Sequence, residues 1–141
     1  MVLKFELCYN LALRKSCRLI NQFYEERLLD AGLKAGQFAI IRAIYLMKKA
    51  TNKRLQQALV LDQTTLSRNL KPLIRDGFLT LKLHHHDKRI KIITLSKCGL
   101  DKYQQALPLW RQAQNDLRSK VGQEESVNII KSSQLLVNKL S

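Results

Sequence analysis

The chain has 141 residues, which suffice for one domain with a hydrophobic core of its own. Hydrophobic residues make up 45% of it and charged residues 26%, a composition that argues against wholesale disorder. Lys and Arg number 25 against 11 for Asp and Glu, which gives a formal net charge of +14. A charge this positive indicates an anionic partner, with nucleic acid the first expectation and a membrane surface the second.

The positions of the cysteines and of the apolar residues indicate the cellular compartment. No apolar run approaches the ~18 residues that span a bilayer, and Lys4 and Glu6 interrupt any signal-peptide core near the start. The three cysteines, Cys8, Cys17 and Cys98, are scattered and lack metal-ligand spacing. This pattern favours free thiols in a reducing cytoplasm over a disulfide framework. We therefore expect a cytoplasmic protein that does not bind membranes.

The first part of the chain predicts three helices. Apolar residues at three- and four-residue steps mark an amphipathic first helix over residues 6–29, which the segment 30–32 ends. Its apolar stripe consists of Leu13, Cys17, Ile20, Tyr24 and Leu28. A second, more buried helix surrounds Ile41. Thr51 or Asn52 caps a short third helix. We expect this third helix to bury Leu55, Ala58 and Leu59.

The second part predicts a helix, a hairpin and two more helices. Asp62 caps the fourth helix, and Gly77 stops it. Pro72 lies inside this helix and lacks a backbone N–H, so we expect either a kink after Arg68 or a shorter helix. Residues 78–83 and 90–95 are β-branched or apolar and flank a polar segment, which predicts a hairpin. Ser96 caps a long fifth helix, and a sixth is expected over residues 123–140.

This order of elements predicts a mainly α fold with a small β-hairpin wing. It is a winged helix-turn-helix flanked by N- and C-terminal dimerisation helices. We expect a single domain over residues 1–141, with the DNA-binding lobe at about residues 35–95. The outer helices, at about residues 1–30 and 96–141, carry more apolar surface than one small domain covers. Such helices usually bury that surface against a second copy, so we expect a homodimer.

The fourth helix has the two faces that a groove-reading helix needs. Leucines cluster on one side, and short polar or cationic side chains occupy the other. We expect Arg68 to bind guanine with two hydrogen bonds and Gln63 to address adenine. The full set of candidate DNA contacts on this helix is Gln63, Thr64, Thr65, Ser67, Arg68 and Lys71. On the third helix, Lys53 and Arg54 are candidates for phosphate contacts. Solvated surface charge is the alternative for both helices.

The hairpin tip concentrates basic residues. Three histidines precede Lys88 and Arg89, and this segment suits the minor groove or a phosphate track. We expect Arg89 to be the inserted side chain and Asp87 to orient it or to cap the turn. Metal binding by His84 and His86 is the alternative. No further Cys or carboxylate lies at ligand spacing from them.

Four segments resemble the multiple antibiotic resistance regulator (MarR) family. They are residues 62–68 (DQTTLSR), 73–79 (LIRDGFL), 87–89 (DKR) and 95–99 (LSKCG), and the pairs at 32–33 and 37–38 are similar to the family's first helix junction. The resemblance covers nearly the whole chain. It implies a homodimer whose two winged lobes read a pseudo-palindromic operator, and whose recognition-helix and wing contacts fall on the residues named above. It also implies a repressor that small phenolic or lipophilic ligands, or thiol oxidation, release from DNA.

The sensor that the resemblance implies has two candidate forms. The pair at residues 7–8 is similar to the hydroperoxide-sensing branch of the family, which makes Cys8 a candidate redox sensor. Cys8 lies about two residues out of register with that branch, and Ala35 occupies the place of one supporting tyrosine. Cys98 begins the fifth helix, where the helix N-terminus favours a thiolate, whereas Cys17 is expected in the core. A ligand cleft would be lined by Tyr24, Phe38 and Tyr45, for which core packing is the alternative.

Two other classes of function compete with this interpretation. The sequence has no phosphate loop, no His-Glu-x-x-His zinc motif and no paired carboxylates in a plausible cleft. We therefore expect no catalytic residues, no cofactor and no metal. The remaining alternative is a basic winged-helix protein with a non-specific DNA-architectural or RNA-binding role. The fourth helix and the hairpin lack the exposed aromatic residues on which RNA bases usually stack.

Overall fold

The computed structural model describes residues 7–141, and its elements follow the predicted order. The helices and strands are α1 (Tyr9–Leu28), α2 (Ala35–Met47), α3 (Asn52–Leu59), α4 (Gln63–Arg75), β1 (Leu79–Leu83), β2 (Lys91–Leu95), α5 (Lys97–Val121) and α6 (Gln123–Leu140). A short 3-10 turn, Leu29–Ala31, follows α1 and ends at Gly32, whose φ of +69° is the left-handed conformation that glycine adopts easily. The fold is a winged helix-turn-helix with long outer helices.

The hydrophobic core lies where α2, α3, α4, β2 and α5 meet. Its fully buried large side chains are Leu28, Ile41, Ile44, Leu55, Leu66, Leu73 and Ile93. α2 forms the centre of this core because its sequence is almost wholly apolar, with Arg42 as its one charged residue. Complete burial of each such side chain contributes about 1.5–3 kcal/mol, so the core is the main source of stability for the winged lobe.

Three predicted helix caps are present. The Thr51 hydroxyl accepts the backbone N–H of Arg54 at 3.2 Å at the start of α3. The Asp62 carboxylate caps α4, and the Ser96 hydroxyl accepts the N–H of Gly99 at 3.0 Å in the first turn of α5. Each cap pairs an N–H that has no acceptor within its own helix, which fixes where the helix begins.

α4 continues through Pro72 to Arg75, so a shortened fourth helix is the wrong alternative. Leu66 and Leu70 before the proline and Leu73 after it are all buried in the core. Packing on both sides of Pro72 holds the helix in place despite the missing N–H. The helix ends just beyond, where Gly77 adopts a φ of +78°.

The wing is a two-stranded antiparallel hairpin that is tied to the lobe at its base. Leu79 pairs with Leu95 at the base, and Leu83 pairs with Lys91 towards the tip. Ala50, in the turn between α2 and α3, exchanges two backbone hydrogen bonds with Ile93, of 3.0 Å and 2.8 Å. The base of the wing is therefore held to the helical lobe by main-chain contacts as well as by packing.

The outer helices are largely exposed in the single chain. α1 contacts α5 near its C-terminal end, where Leu28 is buried. Cys17 lies nearer its N-terminal end and is exposed, so its predicted place in the core is wrong. No residue of α6 is buried. Within residues 7–141, no helix is both long enough and apolar enough to cross a bilayer.

The prediction for α3 is also wrong at one position. Leu55 is buried and Leu59 packs partly against the core, but Ala58 is exposed. Ala58 lies on the wall of an open cleft beside α2, where nothing in the described chain covers it. A short helix of 8 residues turns a narrow face into the core, and Ala58 falls at the edge of that face.

Candidate nucleic-acid interface

α4 separates its apolar and polar side chains onto two faces. Its three leucines are buried, and they anchor the helix against α2 and α3. The opposite face exposes the predicted contacts Gln63, Thr64, Ser67, Arg68 and Lys71. This face offers amide, hydroxyl, guanidinium and ammonium groups within one row, and such groups form hydrogen bonds with base edges and phosphate oxygens.

Thr65 differs from the rest of the predicted row. It is half-buried, and its hydroxyl donates to Asp62 Oδ2 at 3.0 Å. Its backbone N–H also donates to Asp62 Oδ1 at 2.7 Å. These hydrogen bonds, first from the Thr65 backbone and then from its hydroxyl, hold the pKa of the Asp62 carboxyl below its ordinary value. Thr65 therefore fixes the start of α4, and its hydroxyl is not directed to solvent.

The two predicted cations of α3 have different surroundings. Lys53 and Arg54 are both exposed. The Arg54 guanidinium donates to the backbone carbonyl of Lys49 at 3.0 Å, which ties the start of α3 to the preceding turn. A guanidinium has five N–H donors, so this contact leaves others for a phosphate.

At the wing tip, Asp87 and Arg89 form a two-point ion pair. Arg89 Nε donates to Asp87 Oδ1 at 3.1 Å, and an Nη group donates to Oδ2 at 3.2 Å. The Arg89 backbone N–H also donates to Oδ1 at 3.0 Å, so Asp87 both orients Arg89 and caps the turn. The Arg89 side chain bonds, followed by this backbone bond, lower the pKa of the Asp87 carboxyl. Lys88 is exposed beside them.

The wing histidines share one compact cluster but not a metal site. His84 Nδ1 accepts the backbone N–H groups of His86 and Asp87, each at 3.2 Å. Among residues 7–141, no group of three or more His, Cys, Asp or Glu side chains is placed to hold a metal ion. The histidine rings lie 4.1 to 5.7 Å apart by their centroids.

The structure adds neighbours to Arg68 that the sequence did not indicate. A groove of about 410 Å³ separates the start of α2 from α4. Lys34 and Gln37 line it on the α2 side, and Arg68 and Asn69 line it on the α4 side. The sequence gives one indication of this groove, which is the cation Lys34 just before the capped start of α2. A single lysine does not form a periodic pattern, so the sequence does not distinguish it from ordinary surface charge.

A cavity lies where the ligand cleft is predicted, but its lining differs from the predicted set. A cavity of about 490 Å³ between α1, α2, α3 and α5 is lined by Tyr24 and Phe38, as expected. Tyr45 does not line it, so this member of the predicted set is wrong. Tyr45 stacks on Tyr103 with ring centroids 4.4 Å apart. Its ring is turned towards Tyr103 of α5, whereas the next two residues of α2, Leu46 and Met47, do line the cavity.

Two side chains that the sequence analysis did not single out dominate the cavity wall. The Arg42 guanidinium lies 4.6 Å over the ring of Trp110, and both residues line the cavity. Arg42 Nε is buried and has no hydrogen-bond partner in the described chain. Arg42 could have been singled out from the sequence, because it is the one charged residue in an otherwise apolar helix.

The described cysteines are free and exposed: Cys8 precedes α1, Cys17 lies on α1, and Cys98 lies in the first turn of α5.

Tyr24, on the cavity wall, has its hydroxyl hydrogen-bonded to Gln114. Burial raises the pKa of the Tyr24 phenol, and the Arg118 charge partly offsets this effect.

The segment that contains these features is similar to known proteins. Residues 33–91, which run from the start of α2 into the wing, match the model of the MarR family. This segment of the chain is similar to the MarR family. A curated relative, the HTH-type transcriptional regulator BilQ of Clostridium symbiosum, is 28% identical over 105 residues, which are 73% of this chain and 72% of BilQ.

Solved structures share the fold of this chain over almost its full length. One is the M. tuberculosis transcriptional regulator MosR in complex with DNA, at 29% identity and a TM-score of 0.76, covering 91% of this chain and 97% of MosR. Another is Bordetella bronchiseptica BpsR, whose DNA binding is regulated by 6-hydroxynicotinic acid. It is 18% identical with a TM-score of 0.85, and the match covers 96% of this chain and 97% of BpsR.

Proposed function

We propose that this protein is a sequence-specific DNA-binding transcriptional regulator that acts as a dimeric repressor of a pseudo-palindromic operator. The observation that carries the proposal is α4, whose leucine face is buried while its polar face is exposed. The similarity to MosR, which was solved on DNA, supports the same conclusion. The family relatives are regulators, and we infer that this chain is likewise not an enzyme and that it acts in the cytoplasm.

In this proposal each part of the DNA-binding lobe, about residues 35–95, has its own task. α4 enters the major groove, where Arg68 reads guanine and Gln63 reads adenine. The hydroxyls of Thr64 and Ser67 and the Lys71 ammonium bind phosphates or neighbouring base edges. Thr65 acts indirectly, through Asp62, by holding the start of the helix that carries these groups. Lys53, Arg54, Lys88 and Arg89 add phosphate or minor-groove contacts.

The outer segments, about residues 1–30 and 96–141, are proposed to form the homodimer interface. α6 exposes a series of apolar side chains that a single chain leaves in water. They are Val127, Ile129, Ile130, Leu135, Leu136, Val137 and Leu140. An exposed apolar series of this size is typical of an association surface. Two copies place two recognition helices on one duplex, and the half-sites then lie about one helical turn apart.

The effector is proposed to be a small phenolic or lipophilic molecule that occupies the cavity between α1, α2, α3 and α5. Its walls are mostly apolar, and Tyr24, Phe38 and Trp110 offer aromatic surfaces for a planar ligand. Arg42 Nε is a buried donor that has no partner among residues 7–141, and a ligand oxygen would satisfy it. Oxidation at Cys8 is the other route to release, and its exposure gives an oxidant access.

The experiment that tests the proposal is the selection of bound duplexes from a random-sequence pool at physiological salt. We expect enrichment of an inverted repeat with half-sites about one helical turn apart. Salt-sensitive binding of every duplex without enrichment would overturn sequence-specific regulation in favour of an architectural or RNA-directed role. A parallel competition with single-stranded RNA separates those two roles.

A further inference from the structure

The three histidines of this chain all lie at the wing tip, at positions 84, 85 and 86. The loop that contains them connects β1 to β2 and closes through backbone hydrogen bonds from His84 to Ile90 and from Ile90 to Asp87. Histidine is the side chain that ordinarily changes charge between pH 5 and pH 8. All the histidine side chains that could gain or lose a proton therefore lie in the part of the wing that would contact DNA.

The cluster assigns different tasks to its members. His84 Nδ1 accepts two backbone N–H groups, from His86 and Asp87, and an acceptor nitrogen cannot carry a proton. His84 thus anchors the turn. His85 and His86 are exposed, and their ring centroids are 4.1 Å apart. Neither ring has a recorded side-chain hydrogen bond in the described chain, so both are accessible to an incoming anion.

We propose that His85 and His86 bind DNA phosphates as imidazolium ions, so that this protein takes up protons when it binds DNA. The inference rests on the proposed function, since it needs the wing to contact DNA. Two imidazolium rings whose centroids lie 4.1 Å apart repel each other. A phosphate beside them offsets that repulsion, and charge-assisted hydrogen bonds to phosphate stabilise the protonated rings further. Binding and protonation are therefore linked.

The charges around the two rings support this linkage. Asp87 is the one acidic residue in the tip loop, and the Arg89 guanidinium already pairs with its carboxylate. The other charged groups near the rings are the cations Lys82 and Lys91 on the strands and Lys88 in the loop. Residues 84–89 form their hydrogen bonds with other residues of the hairpin. The described chain thus supplies no free carboxylate at the tip, and DNA is the anion that would favour protonation.

The test uses the full chain and a mixed-sequence duplex, because phosphate binding does not depend on base sequence. Affinity is measured at about pH 6 and about pH 8 at constant ionic strength. Proton uptake is measured by titration calorimetry near pH 6.5 in two buffers of different ionisation enthalpy. We expect binding about tenfold tighter at the lower pH and an uptake of between about one and two protons per chain.

Two variants separate this effect from general positive charge. The double variant His85→Gln/His86→Gln keeps polar side chains and should lose both the proton uptake and most of the pH dependence. Lys88→Gln removes a permanent charge from the same loop, and it should weaken binding equally at both pH values while the uptake persists. Unchanged uptake in the double variant, or none in the unmodified chain, would overturn the inference. No binding at either pH would overturn the proposed function as well.

Discussion

Arg89 and Asp87 form a two-point ion pair at the wing tip, and the same carboxylate also accepts the Arg89 backbone N–H. Asp87 thus holds the guanidinium in one orientation without burying it, since the Arg89 side chain is 90% exposed. An exposed ion pair contributes little to folding stability. Its effect should therefore appear in DNA binding and not in thermal stability.

The first prediction concerns this pair. Arg89→Ala should weaken binding to every duplex and reduce the salt slope of log affinity by about 1, because one phosphate-directed cation is lost. Affinity measured over a range of salt concentrations checks both values. Arg75→Ala is a matched control, since Arg75 is an exposed arginine in a similar ion pair with Asp76 at the end of α4. A smaller slope change for Arg89→Ala than for Arg75→Ala would contradict the role of the wing.

The second prediction concerns base recognition by α4. Arg68→Ala should weaken binding to the selected duplex by ~1–3 kcal/mol and relax the preference at one base position. Repeating the duplex selection with the variant identifies that position. Arg68→Lys keeps the charge but not the two-pronged geometry, so it should recover general affinity without recovering the base preference. Equal losses on selected and random duplexes would instead assign Arg68 to phosphate.

The third prediction concerns the junction between α5 and the start of the wing. A Cβ placed on Gly99 would lie 2.0 Å from the backbone carbonyl oxygen of Phe78, so one of the two segments would have to move. Gly99→Ala should destabilise the protein by about 1–3 kcal/mol through this overlap. Gly36→Ala is the control, because a Cβ there meets no atom within 4 Å and alanine favours the helix. Thermal or urea unfolding compares them, and equal stability of the two variants would refute the overlap.

The fourth prediction concerns acid and the cap of α4. The hydrogen bonds from Thr65 lower the pKa of Asp62 in the folded chain. A lowered folded-state pKa stabilises the fold above the unfolded value near 3.8, and that contribution is lost as the pH falls through the folded value. Asp62→Asn retains a capping oxygen but does not titrate, so its unfolding curves should depend less on pH between about pH 5 and pH 3. Identical pH dependence of the variant and the unmodified chain would rule out Asp62 as a contributor.

The fifth prediction uses Trp110, the single tryptophan of the chain, as a reporter of the cavity. A phenolic ligand that occupies the cavity should change Trp110 fluorescence in a saturable manner and weaken DNA binding. Ala39→Phe fills part of the cavity from α2 and should abolish both effects. Ile74→Phe, at an exposed position near the end of α4 that does not line the cavity, should leave them intact. Ligand release of DNA that persists in Ala39→Phe would place the effector elsewhere.

The sequence predicted the elements of this fold well because local signals define them. The side-chain caps at Thr51, Asp62 and Ser96 and the glycine stop at Gly77 are local chemistry that needs no tertiary information. The polar face of α4 was predictable for the same reason, since periodicity alone places Arg68 opposite the leucines.

The wrong predictions concern residues whose surroundings depend on tertiary packing. Cys17 has the spacing of a core residue, but no other part of residues 7–141 covers it. Tyr45 lies on nearly the same helical face as Phe38, but its ring stacks on Tyr103. The neighbouring Leu46 and Met47 line the cavity instead, and periodicity does not show which neighbour a side chain meets. The neighbours of Arg68 across the groove, Lys34 and Gln37, lie about 30 residues away in sequence. No helical or strand period relates positions so far apart.

The connection between β2 and α5 gives the cavity a mechanical path to the wing. Ser96 alone separates the two elements, and its hydroxyl donates to the Gly77 carbonyl while its N–H donates to the Phe78 carbonyl. Trp110 lies 13 residues further along α5, roughly 20 Å from the helix start. Pro108 lies within this stretch of α5 and lacks a backbone N–H, so the helix misses one hydrogen bond before Trp110. Because no loop separates α5 from the hairpin, we expect a ligand that tilts α5 at the cavity to displace the wing as well.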